Sequence, residues 1–390
     1  MKKTVQADTF LTLYPNFKNS AISGRFLSCN ELSPQLEKLR DHFYIEEIGR
    51  SFLNVPIHSI KIGTGPVKIM GWSQMHGNES TTTKAVLDLL NLFKNHKEVN
   101  DVKEVLEKCT FLVIPMLNPD GAVRYTRTNV NKVDLNRDAQ ELKEVESRVL
   151  KRCYDDFQPD FCFNLHDQRT IFSAGDTDKP ATISFLTPSM DPERSITESR
   201  KRSMKIIVEM NKVLQEYLPG MIGRYDDAFN INCTGDTFQS LQVPTILFEA
   251  GHFPNDYLRE ETRKYIGLAI FTGLHSIANG NFRFCEAADY FQIPENKKNF
   301  FDIILRNAAV KGENVDIAIQ YEEKVRGNEV HFEPVVQTMA ENLSYFGHKE
   351  IDCEGMEVKD ISGKDINEND IVTQILLNNE KLSIISQDIP

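Results

Sequence analysis

The chain has 390 residues, 40% hydrophobic and 26% charged, with a net charge of -12. That length predicts about two domains of roughly 150–250 residues each, and the composition excludes disordered, collagen-like and disulfide-scaffold classes. The acidity argues against a nucleic-acid partner, which calls for a basic stripe, and against docking on acidic membranes.

The chain opens MKKTVQADTFLTLYPNF, with two lysines and no apolar run behind them. This predicts no secretory signal and a cytoplasmic location. Four apolar runs of strand length follow: Val67–Trp72, Phe111–Leu117, Phe161–Leu165 and Thr245–Phe248. Each is apolar enough to be buried on both faces. Helical spacing lies between them. Ser80–Lys94 sets Val86, Leu89, Leu90 and Phe93 on one face, leaving Asp88 for the outer one and Ser80 or a following Thr as the N-cap. Asp138–Tyr154, Ile196–Leu218 and Tyr257–Ile277 are further helices. The longest uncharged run, Tyr265–Phe282, carries His275, Ser276 and Asn279 and reads as a buried helix, not a membrane span. Strands alternating with helices predict an α/β unit over residues 1–283, its sheet largely parallel and covered on both faces. From about Pro294 the pattern changes. Phe301–Leu305, Val315–Tyr321 and Val330–Val336 read as strands, and residues 287–390 as a small β-rich domain without an assigned role. The seven cysteines are widely spaced, with no Cys-x-x-Cys, which excludes a thiolate metal site. No feature of the sequence specifies an oligomeric state.

In open α/β sheets ligands gather beyond the carboxyl ends of the strands. Here those ends carry His76-Gly-Asn-Glu79, Asn118-Pro-Asp-Gly121, His166-Asp167 and Glu249. Imidazole and carboxylate are both zinc ligands, and His76 and Glu79 are close enough for one loop to present both. His166 is the candidate third ligand. Glu249, a carboxylate ending an apolar strand, is the candidate general base. The segment from Arg124 to Arg137 concentrates arginine and asparagine. Arg137 with Asn136 forms a candidate clamp for a substrate carboxylate, Arg127 a candidate oxyanion partner, and Asp134 a support for a ligating histidine. Arg124 is grouped with the substrate-binding candidates. Two histidines and a carboxylate also make the facial triad of non-haem iron oxygenases, but the α/β pattern and the Arg/Asn clamp oppose that reading. A scaffold that keeps the fold without catalysis is opposed by the presence of all three ligands and Glu249.

Taken in order, His76-x-x-Glu79, Asn118-Pro-Asp-Gly121, Arg127, Val133-Asp-Leu-Asn136-Arg137, His166 and Glu249 resemble the zinc carboxypeptidases, the funnelin metallopeptidases, over roughly residues 45–275. The resemblance implies an α/β/α fold with an eight-stranded mixed sheet around one zinc ion per chain. In it His76, Glu79 and His166 hold the metal, Glu249 is base and proton shuttle, and Arg127 polarises the scissile carbonyl. Asn136 and Arg137 bind the terminal carboxylate of a peptide. Tyr225 is the nearest candidate for the family's substrate-capping tyrosine. Asp236, in Asn232-Cys-Thr-Gly-Asp236, is either a turn residue or a partner for a basic substrate side chain. His76-Gly-Asn-Glu79 and Asp134-Leu-Asn-Arg137 also resemble the aspartoacylase and succinylglutamate desuccinylase branch, which implies acyl-amino-acid substrates. Asn118-Pro-Asp-Gly121 favours the peptidase branch.

Overall fold

The structure, a computed structural model, describes residues 5–385. The dilysine start of the chain and the last residues assigned to the C-terminal unit lie outside them. In chain order the main strands are β1 (Tyr44–Arg50), β2 (Pro56–Ile62), β3 (Val67–Ser73), β4 (Cys109–Ile114), β5 (Phe161–Asp167), a short β6 (Phe172–Ala174), β7 (Ile183–Leu186), β8 (Ile222–Arg224) and β9 (Thr245–Ala250). The helices are α1 (Val5–Phe17), α2 (Cys29–Glu37), α3 (Thr81–Asn95), α4 (Asn100–Lys108), α5 (Pro119–Arg124), α6 (Val145–Phe157), α7 (Glu198–Leu214), α8 (Thr234–Ser240) and α9 (Glu260–Asn279).

Eight strands form one sheet in the order β1-β2-β4-β3-β5-β9-β7-β8. The four in the middle are parallel, as their apolar runs predict. The sheet is mixed, however, not largely parallel. β1 and β2 are joined by a short turn and so must run antiparallel, and β7 runs against β9. One face packs on α1, α3, α7 and α9 through a core that includes Phe10, Leu89, Phe163, Ile207 and Ile270. The other packs on α6 and α8, where Phe238 meets Trp72 edge-on at 5.3 Å and stacks on Tyr154 at 4.2 Å.

Several boundaries move for identifiable reasons. β4 stops at Ile114 because Pro115 has no N–H for the ladder. Residues 138–144 are not helical. The Asp138 carboxylate accepts the N–H groups of Lys143 and Glu144, and Leu142 has φ 49°, so α6 begins only at Val145. Asp88 does not face solvent. α1 and α9 cover that side of α3, and Asp88 is 1% exposed, held by Arg263 (Nη2 to Oδ1 2.6 Å) and by the Tyr14 hydroxyl at 3.1 Å. Ser80 does not cap α3 with its side chain. The Asp167 carboxylate does so from the end of β5, accepting Thr81 N–H at 2.8 Å. That bond ties α3 to the strand that carries His166.

Beyond α9 a second sheet forms from β11 (Phe300–Val310), β12 (Glu313–Arg326), β13 (Glu329–Ala340) and β14 (Phe346–Asp352), preceded by β10 (Asn296–Lys298), which pairs with β6. Its core includes Ile303, Ile319, Phe332 and Val336, and also Phe26 and Tyr257 from far outside this segment. His348 on β14 stacks on Phe300 with ring centroids 4.4 Å apart and lies 4.2 Å from the ring of the buried His252, just after β9. Packing against rings withdraws His348 from water and lowers its pKa to about 4, against about 6.5 in an unfolded chain. The folded protein therefore binds fewer protons than the unfolded one between these values, and stability is lost as pH falls from about 6.5 towards 4. Thermal melting over this range should show the loss, and His348→Phe should flatten it.

Candidate active site

His76, Glu79, His166 and Glu249 are each set by a strand end. His76 and Glu79 follow β3 in a turn whose packing demands a glycine. A Cβ on Gly77 would lie 2.1 Å from the carbonyl carbon of Gly121. Asn118 and Asp120 from the loop after β4 are structural. Asn118 accepts the Gly121 N–H at 2.9 Å and donates to the Met75 carbonyl. Asp120 accepts from the Ser51 hydroxyl at 2.7 Å, tying down the β1–β2 turn.

His76, Glu79 and His166 converge. His76 Nδ1 is 2.8 Å from Glu79 Oε1, His166 Nδ1 is 2.8 Å from Glu79 Oε2, and the two Nδ1 atoms are 3.1 Å apart. All three residues are buried. Two imidazole nitrogens do not attract one another. Separations near 3 Å are those of ligands round a single small cation, at about 2.0–2.1 Å from each. His76 Nε2 is bound to Asp134 Oδ1 at 2.9 Å, so its N–H sits on the far side and the Nδ1 lone pair points into the cluster. The donor set therefore fits zinc. A second cluster, Asp101, Glu104 and His275, differs: Lys108 lies 3.7 Å from Glu104, and Asn279 donates to its carboxylate at 2.7 Å.

Glu249 lies directly opposite His166 in the β5–β9 register. It is one of two carboxylates pushed in opposite directions. Burial would raise Glu79, but His76 and His166 outweigh it and hold Glu79 ionised. Burial raises Glu249 well above the usual carboxylate range, and the charges of Glu79 and Asp167 add to this. The two neighbouring carboxylates are thus set to different protonation states. Its Oε2 is buried without a protein partner.

Arg127 bridges the cluster and its support, with Nε 3.1 Å from Asp134 Oδ2 and Nη1 3.3 Å from Glu79 Oε1. Asn136 and Arg137 occupy one turn of 3-10 helix, capped by Asp134 through the Asn136 N–H. The Thr234 N–H at the start of α8 occupies Asn136 Oδ1 at 3.0 Å, so the amide nitrogen is left as the donor. His76, Glu79, His166, Glu249, Arg127, Asn136 and Arg137 line one cavity of about 760 Å³, together with Tyr225 and Asp236. Tyr225 follows β8 and packs edge-on against Phe172. Asp236 is in the first turn of α8, and burial raises its pKa to about 6.

Arg124 does not join them. It ends α5 exposed to solvent, before Tyr125 reverses the chain at φ 54°, and it does not line the cavity. The sequence reading also missed contributors. Asn164 lies two residues before His166, hence on the same face of β5, and buries an unpartnered Oδ1 at the cavity. That two-residue spacing was a usable signal. Arg25 and Tyr321–Lys324 also line the cavity, and no motif marks them.

With this geometry in view, the comparisons agree. The zinc carboxypeptidase family profile matches residues 35–171, which include all three converging ligands, Arg127, Asp134, Asn136 and Arg137. Residues 35–171 are thus similar to the zinc carboxypeptidase family. Glu249 lies beyond the matched segment, so its place beside the ligands is a finding of the structure. The probable carboxypeptidase 2 of Arthroderma benhamiae is 30% identical over 142 residues, 36% of this chain. The match spans 24% of that relative's length. The fold is shared with a metallo-carboxypeptidase from Burkholderia cenocepacia (TM-score 0.53, 20% identity, 66% of this chain and 70% of that one). It is also shared with a putative carboxypeptidase A from Shewanella denitrificans (TM-score 0.55, 17% identity, 66% and 71%).

Proposed function

We propose that the protein is a zinc-dependent hydrolase that removes the C-terminal residue of a peptide bearing a free carboxylate. The observation that carries this reading is the convergence of His76, Glu79 and His166 on one point, with Glu249 facing them from the next strand. A zinc ion held there would polarise a carbonyl oxygen and acidify water.

The remaining steps belong to the chain. Arg137 and the Asn136 amide nitrogen hold the terminal carboxylate, which fixes the scissile bond at one residue from the chain end. Arg127 lies beside Glu79 and stabilises negative charge developing on the carbonyl oxygen. Glu249, with one oxygen unpartnered, takes a proton from the attacking water and returns it to the leaving amine. Tyr225, beside the charges of Glu249 and Glu79, closes the cavity over the bound residue. Asp236 is offered to a basic group on that residue.

Paired peptides with free and amidated C-termini test the clamp. The free acid should be preferred by at least about tenfold, the effect of losing a charge-assisted bond of 1.4 kcal/mol or more. Equal cleavage of the pair would remove Asn136 and Arg137 from carboxylate binding. The alternative, hydrolysis of N-acyl amino acids, uses the same groups.

A further inference from the structure

The cavity is bounded by two pieces of chain outside the eight-stranded sheet and its helices. The hairpin β12–β13 contributes Tyr321 to Lys324, and the arm before α2 contributes Arg25. They are joined. Arg25 Nη2 lies 2.9 Å from Glu323 Oε1, and the Tyr125 hydroxyl donates to Glu323 Oε2 at 2.5 Å. Both oxygens of Glu323 are thus engaged, and the Arg25 side chain is 6% exposed. At the hairpin tip, Asn328 donates to Glu31 of α2 at 3.0 Å.

The same hairpin is fastened to loops behind the site-bearing strands. Tyr125 follows β4. Gln320 donates to the Thr170 hydroxyl, after β5, at 2.9 Å. Tyr257, after β9, packs edge-on against Tyr321 at 5.1 Å and Phe332 at 5.6 Å. Arg25 is anchored at the start of α3, where the Ser80 hydroxyl donates to its carbonyl. With so many ties this is a fixed wall.

Its side of the site follows from the packing. Leu135, beside the clamp, is buried in the core under α6 and α8, whereas Arg25 is held at α3, on the opposite face of the sheet. The ligand cluster at the sheet edge lies between them. A substrate whose carboxylate is held by Arg137 therefore runs its acyl side towards the hairpin. The cavity of about 760 Å³ is within the range of small-ligand sites, about 300–1,000 Å³. The wall is polar: Glu322 and Lys324 are paired at 2.7 Å and about half exposed.

We infer that the β12–β13 hairpin, locked by Arg25, Glu323 and Tyr125, limits the substrate to a short, polar acyl group ahead of the scissile bond, making N-acyl amino acids, dipeptides and tripeptides the substrate class. This rests on the proposed hydrolysis of a chain-end amide.

The test is a series with one common C-terminal residue: N-acetyl amino acid, dipeptide, tripeptide, pentapeptide and decapeptide, assayed with the full-length, zinc-loaded protein. kcat/KM should fall by about tenfold or more between tripeptide and decapeptide. Glu323→Gln and Tyr125→Phe should both raise the decapeptide-to-dipeptide ratio. Tyr125→Phe keeps the ring and removes a single hydrogen bond, so it preserves the fold if Glu323→Gln does not. Equal kcat/KM at all lengths overturns the inference while leaving the hydrolase reading intact. An unchanged ratio in Tyr125→Phe overturns the hairpin as its cause. No cleavage of any member overturns the hydrolase reading and this inference together.

Discussion

Glu249→Gln is expected to lower kcat by about 10²- to 10⁴-fold, the usual contribution of a positioned acid–base group, with bound zinc unchanged. The amide has nearly the volume of the carboxylate, so the buried position at the end of β9 stays filled. It can neither accept the proton of water nor hand one to the leaving amine. Glu249 is not one of the three converging donors, His76, Glu79 and His166, so metal content should remain that of the parent protein. Parallel kinetics and metal analysis check both halves. Near-parental turnover would remove Glu249 from proton transfer, and loss of metal would make it a ligand.

His166→Ala is expected to leave the purified protein with little zinc and no measurable turnover. His166 supplies one of the converging donors, and the remaining pair, His76 and Glu79, is two short of a tetrahedral set. Asp134→Asn should be milder, weakening zinc binding by about 10- to 100-fold, the usual effect of removing a carboxylate behind a ligating histidine. The contrast is diagnostic, because Asp134 reaches the ion only through the tautomer of His76 and through Arg127. Titration of the metal-depleted protein with zinc measures both affinities. Equal losses in the two variants would mean that Asp134 is itself a ligand.

The parallel centre of the sheet and most of the site could be read from the amino-acid order because both rest on local chemistry. A strand buried on two faces is apolar for most of its length, and with no Cys-x-x-Cys in the chain a zinc ligand is drawn from His and the carboxylates. So β3, β5 and β9, with His76, Glu79, His166 and Glu249 at their ends, stand out. What could not be read depends on distant chain. Asp88 looks like a surface residue of α3 until α1 and α9 arrive with Tyr14 and Arg263. The N-terminus of α3 is capped by Asp167, some 86 positions away, not by its neighbour Ser80. Arg124 shares a segment with Arg127, yet the left-handed turn at Tyr125 separates their surroundings. Arg25 and Glu323 are nearly 300 residues apart and meet only because the arm and the hairpin cross the same strand ends.

Phe26 and Tyr257, buried in the core of the second sheet, have a consequence for any attempt to transplant the catalytic half of this molecule. A fragment ending after α9 would keep His76, Glu79, His166 and Glu249. It would also bare two aromatic rings to water, strand the Arg25 guanidinium without its counter-charge, and leave the Tyr125 hydroxyl without its acceptor. The excised half would thus be a sticky, loosened body: the segment that narrows the entrance is also a piece of its interior.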